Sequence, residues 1–80
     1  MNPARRGPDV STYVGRVAAH IHKLRVKAGL SVPEFAEAVG VGPPTVYAWE
    51  NGQNAPQIKM LPAIATALGV AKIRNVLPPE

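Results

Sequence analysis

Glycine cuts the 80-residue chain into short pieces. Gly29, Gly40, Gly52 and Gly69 each follow a window whose apolar residues recur at helical spacing. Glycine enters the left-handed conformation that ends a helix without a Cβ penalty, so these positions read as helix stops. A chain punctuated in this way has room for a set of short helices that are stable only when packed against one another. No window alternates apolar and polar residues with β-branched enrichment, so no sheet is expected. The predicted fold class is all-α, a compact five-helix bundle.

The first helix is predicted to start at Ser11 or Thr12 and run to Ala28. At helical spacing Val14, Val17, Ala18, Ile21, Leu24 and Ala28 share one face, while Arg16, His20, Lys23 and Lys27 form a stripe on the flank. Arg25 falls at the margin of the apolar face, where a guanidinium needs a carboxylate partner. The second helix, about 31–39, opens with Ser31-Val32-Pro33-Glu34, a capping box in which serine and glutamate satisfy each other's backbone amides. Pro33 lies in its first turn, where a missing amide hydrogen costs nothing, and Phe35, Ala36 and Val39 point inward.

The third helix, about 43–51, begins unusually. With Gly42 as N-cap, Pro43 and Pro44 take the first two helical positions, where no intrahelical amide bond is lost. Val46 and Trp49 are then core residues. A loop from Gln53 to Pro56 leads to a fourth helix carrying Leu61, Ile64, Ala65 and Leu68; Pro62 leaves residues 57–60 as a loose turn at most. A fifth helix is predicted over Ala71–Leu77, with Ile73 covering the core and Pro78-Pro79 ending it. Residues 1–10 read as a flexible basic N-terminal arm containing Arg5 and Arg6, and residues 11–80 as the domain.

Several functions are excluded by what the chain lacks. It has no cysteine, hence no disulfide and no thiolate ligand. His20 and His22 point in different directions on a helix and have no accompanying carboxylate pair, so they read as surface histidines and no metal site is expected. There is no Ser/His/Asp arrangement, and Gly40-Val41-Gly42 reads as a turn, not a nucleotide cradle. The expectation is a protein that is not an enzyme, with no cofactor and no evident small-molecule ligand. With neither an apolar signal region nor a membrane-length apolar run, it is expected in the cytoplasm.

The net charge is +4 and the pI near 10.0, which favours polyanions. That charge is uneven. Residues 1–30 carry six basic side chains against Asp9, whereas residues 31–56 carry Glu34, Glu37 and Glu50 with no lysine or arginine.

The second helix, the turn and the third helix form a helix-turn-helix. The ordered string L-S-x-x-E-x-A-x-x-V-G-V, then T-V-x-x-W-E-N-G, then P-x-I-x-x-L-x-x-I-A-x-A-L-G-V closely resembles the phage-repressor (Cro/XRE-like) helix-turn-helix family. The resemblance implies a lambda-repressor-like DNA-binding domain, a transcriptional regulator whose third helix lies in the major groove of double-stranded DNA. It implies that Glu50 pairs with Arg25 as a structural ion pair. It places base reading on Gly42, Pro43, Pro44, Tyr47 and Ala48 and phosphate contacts on Asn51, Gln53 and Asn54. Thr45 is a further candidate for base contact and Ser31 for phosphate contact, and Arg5 and Arg6 on the flexible arm are cations placed to meet DNA. Ile73, Val76 and Leu77 either cover the core or form a dimer seam; with no other evident oligomerisation element, a weak homodimer through them is expected, nucleoid-associated when bound to DNA.

The chain departs from the family at the reading face. Typical members hold Ser, Thr, Gln, Arg or Asn there, which bond to base edges; proline and alanine offer only apolar surface. Val32 likewise replaces a common glutamine that serves the phosphate backbone. A second reading follows, that of a protein-interaction module on the same fold with only weak nonspecific DNA binding.

Overall fold

The computed structural model describes residues 9–78, which contain four α-helices, two 3-10 turns and no strand. Helix α1 spans Tyr13–Lys27, α2 Val32–Val39, α3 Pro43–Asn51 and α4 Leu61–Leu68. The stops fall at the glycines: Gly40, Gly52 and Gly69 are left-handed C-caps, and Gly29 has a positive φ one residue beyond the cap of α1. Arg5 and Arg6, and with them most of the expected N-terminal arm, lie outside the described residues.

Each helix start has its own device. Thr12 caps α1 by accepting from the Gly15 amide. Ser31 and Glu34 form the full capping box of α2: the Glu34 amide donates to the Ser31 hydroxyl at 3.2 Å and the Ser31 amide donates to the Glu34 carboxylate at 2.8 Å. That donation, first from the Ser31 backbone and second from its side chain, holds the Glu34 carboxyl below its ordinary value. A depressed folded-state pKa stabilises the fold above the ordinary carboxylate range, and the contribution is lost as pH falls from that range through the lower folded-state value. Ser31→Ala is expected to cost about 1 kcal/mol, which in a thermal melt is a fall in Tm of about 4–8 °C for a domain of this size. An unchanged melt would remove the capping account.

The core collects one face of every helix: Val17 and Ile21 from α1, Val32, Phe35 and Val39 from α2, Val46 and Trp49 from α3, and Leu61, Ile64 and Leu68 from α4. Phe35 and Trp49 meet edge to face, with centroids 6.4 Å apart and planes at 70°. This contact fastens α2 to α3.

Three expectations are corrected. The fifth helix is a 3-10 turn of four residues, Ile73–Val76. Lys72 before it is extended, and the Asn75 carbonyl accepts from His20 Nε2 at 3.0 Å instead of continuing a helical ladder. Val14 and Ala28, placed on the inner face of α1, are exposed, because the buried stripe is centred on Val17, Ala18 and Ile21 with Gly15 at its edge. Ile73, expected to cover the core, is 45% exposed, while Val76 is fully buried in it. Val76 therefore cannot belong to a surface seam between two copies.

Candidate nucleic-acid interface

Helix α3 is buried along Val46, Trp49 and Glu50 and turns its other side outward. Pro44, Tyr47, Ala48 and Asn51 recur at the three- and four-residue spacing that aligns side chains on one helix face. Pro44, Tyr47 and Asn51 are exposed, Tyr47 by 53%, and Ala48 is half-buried between them. Gly42 and Pro43 extend this face at the helix start and are also exposed. Thr45 is exposed on the flank, where it lines a groove with Val41, Trp49 and Asn54.

A helix N-terminus ordinarily presents several free amides. Here Pro43 and Pro44 have none, and the Thr45 amide already donates to the Gly42 carbonyl at 3.0 Å. The Gly42 amide is the backbone donor left at this end, and no lysine or arginine stands on α3. The helix thus offers apolar surface, one phenolic hydroxyl at Tyr47, one hydroxyl at Thr45 and one amide side chain at Asn51.

The loop after α3 supplies a polar edge. Gly52 turns left-handed, and the amides of Gln53 and Asn54 return to the Ala48 carbonyl at 3.0 and 3.4 Å. Backbone groups do this capping. The side chains of Asn51, Gln53 and Asn54 are exposed and make no hydrogen bond to another described residue. Ser31 lies at the start of α2 with its hydroxyl oxygen accepting in the capping box. Val32 beside it is buried, part of the core and not of any surface.

One polar cluster fixes α3 against α1. Arg25 donates from Nε to Glu50 Oε2 at 2.6 Å, from Nη2 to Glu50 Oε1 at 3.1 Å, and from Nη1 to the Leu30 carbonyl at 2.7 Å. Both partners are nearly covered, with side chains 11% and 8% exposed. His22 is a third member, its Nδ1 2.8 Å from Glu50 Oε1. A carboxylate oxygen can only accept, so that ring nitrogen carries its proton towards Glu50. Sequence reasoning treated His22 as a plain surface residue. The signal was its place three residues before Arg25, one turn along the same helix face. Among the described residues no group of three or more His, Cys, Asp or Glu side chains is arranged to hold a metal ion, and no helix is long and apolar enough to cross a membrane.

A bundle in which a capping-box helix and a glycine turn present an outward helix defines the helix-turn-helix class of DNA-binding transcriptional regulators. The helix-turn-helix family HTH_3 matches residues 21–72, and the chain belongs to this family, the Cro/C1-type (XRE-like) helix-turn-helix proteins. No curated protein matches it. Among solved structures it is similar to the hypothetical transcription factor NHTF from Neisseria, at 29% identity and a TM-score of 0.77 over 99% of this chain and 88% of that one. It is also similar to the restriction-modification controller protein C.AhdI from Aeromonas hydrophila, at 25% identity and a TM-score of 0.74 over 80% of this chain and 96% of that one. A further likeness, to FeII HppE at 30% identity and a TM-score of 0.75, covers 85% of this chain but 35% of that protein.

Proposed function

We propose that the protein is a cytoplasmic regulator, nucleoid-associated when bound, that places α3 in the major groove of double-stranded DNA and discriminates only modestly among sequences. The observation that carries this reading is the outward α3 face of Pro43, Pro44 and Tyr47, exposed around a half-buried Ala48, in a chain of this family. Gly42 and Thr45 complete the reading set. With proline and alanine where side-chain donors would stand, contact to bases is mainly apolar, as to a thymine methyl, with the Tyr47 hydroxyl as the principal hydrogen-bonding group.

Phosphate anchoring falls to Asn51, Gln53 and Asn54, whose side chains the fold does not use, with Ser31, Arg5 and Arg6 as further contacts. Of these, only Arg5 and Arg6 neutralise phosphates, and each phosphate so neutralised lowers log K by about 0.9 per unit of log salt on B-form DNA. The protein acts as a weak homodimer, with the exposed Ile73 at the C-terminal turn as the seam. The paired α3 helices then stand about 34 Å apart, one turn of duplex.

Selection from a random duplex pool at physiological salt is expected to enrich a short inverted repeat with half-sites about ten base pairs apart. Tyr47→Ala is expected to weaken binding to that site by about tenfold while leaving the thermal melt unchanged, a loss in the range of one good base contact. Unchanged binding by this variant would remove the reading face from α3. Absence of any retained duplex would favour the protein-interaction reading, to which the exposed Tyr47 and the lack of basic residues on α3 point.

A further inference from the structure

The basic stripe of α1 does not stand alone. The C-terminal segment runs beside it, tied on by the His20–Asn75 hydrogen bond, and two adjoining grooves open between them. Both grooves are lined by His20 and Pro78, so they form one channel. Arg16 and Lys23 stand at one end and Arg74 at the other; Ala19, Leu77 and Pro78 supply apolar lining between them. Arg16 is held in place, its guanidinium 5.5 Å from the centre of the Tyr13 ring and donating to the Val10 carbonyl at 3.2 Å.

No carboxylate among the described residues forms an ion pair with these three cations. Asp9 is engaged by Ser11, Glu34 by Ser31, and Glu50 by Arg25 and His22. The channel also faces away from α3. His22 reaches α3 through Glu50 while His20 reaches the C-terminal turn, and two residues along a helix lie about 160° apart around its axis.

We propose that this channel is a docking site for an acidic peptide segment of another protein, anchored by an apolar side chain. Three cations around an apolar floor complement glutamates or aspartates flanking a leucine or phenylalanine. A nucleic-acid backbone would meet the cations but leave the floor unfilled. The site stands independently of the duplex-binding reading. It lies on the far side of α1 from α3, so both ligands bind at once.

The test follows backbone amide NMR signals of the full chain as it is titrated with a short synthetic peptide of glutamates flanking a Leu-Phe pair. Saturable shifts are expected on Arg16, Ala19, His20 and Lys23 and on residues 74–77, with α3 unmoved. Replacing the peptide's glutamates by glutamine should abolish them. The double variant Lys23→Glu, Arg74→Glu should keep the native melt and bind the peptide about tenfold more weakly, two exposed ion pairs having become like-charge contacts. The shifts should persist when duplex DNA is added. The proposal is overturned if no shifts appear, if they spread equally over Lys59 and Lys72, if a single-stranded oligonucleotide produces the same pattern more strongly than the peptide, or if duplex DNA displaces the peptide. A failure of duplex binding with the peptide shifts intact would count against the α3 reading alone.

Discussion

Glu50→Ala is expected to destabilise the protein by about 3 kcal/mol, the cost of leaving one member of a buried ion pair uncompensated. For a domain of this size that is a fall in Tm of about 12–24 °C. Arg25 is the member left behind: its side chain is only 11% exposed, and two of its three hydrogen bonds to acceptors end on Glu50. His22 loses its acceptor in the same step. The pair joins α1 to the end of α3, so the variant also loosens the helix assigned to DNA.

A second variant separates the charge effect from simple loss of packing. Arg25→Met with Glu50→Leu removes both charges and fills the space with apolar groups, an exchange that is often neutral for buried pairs. The double variant should recover most of the Tm lost by Glu50→Ala. If it melts no higher than the single variant, the loss belongs to packing or to the Leu30 and His22 contacts, and the ion-pair account fails.

Helix boundaries were legible because they are set locally. The glycines, the Ser31–Glu34 box and the Pro43-Pro44 start each act within one turn of their own position, and the helices end where those residues stand. The fifth element was not legible. Ile73, Val76 and Leu77 have helical spacing, but the segment is too short to settle its conformation by propensity, and its contacts to α4 and to His20 select a 3-10 turn with Val76 inward. Val14 was misplaced for a related reason. Its spacing fits the apolar face, yet at this end of α1 the buried position is Gly15, and Val14 is left 41% exposed.

The site divides in the same way. The position of Arg25 on the helix face demanded a carboxylate, and the family resemblance pointed to Glu50; the shared role of His22 depended on the crossing of α1 and α3, which no local pattern encodes. The grouping of Arg74 with Arg16 and Lys23 is likewise a product of chain return. It joins residues more than fifty positions apart in sequence.

Phe35→Ala is expected to cost about 4 kcal/mol, the transfer free energy of the ring plus the cavity it leaves. Phe35 is fully buried and meets Trp49 edge to face, so the wall between α2 and α3 loses its largest member. A domain of 80 residues has a total stability of about 4–12 kcal/mol, and the variant should therefore populate the unfolded state measurably without denaturant. Trp49 is the chain's single tryptophan and stands against the deleted ring, so its fluorescence reports the change directly. In urea the midpoint should fall with the slope unchanged, because the surface exposed on unfolding is nearly the same. Phe35→Leu, which keeps most of the volume, should cost less than about 1.5 kcal/mol. An equal loss in the two variants would mean that the aromatic edge contact, not the filled volume, sets the stability of this wall. The same variant tests the proposed function from the side of folding: a ligand that binds only the native state adds about 2.7 kcal/mol at one hundred times its Kd. Saturating a site-bearing duplex should thus refold most of the Phe35→Ala protein, whereas a duplex that left its urea midpoint where it was would show that the folded bundle does not bind it.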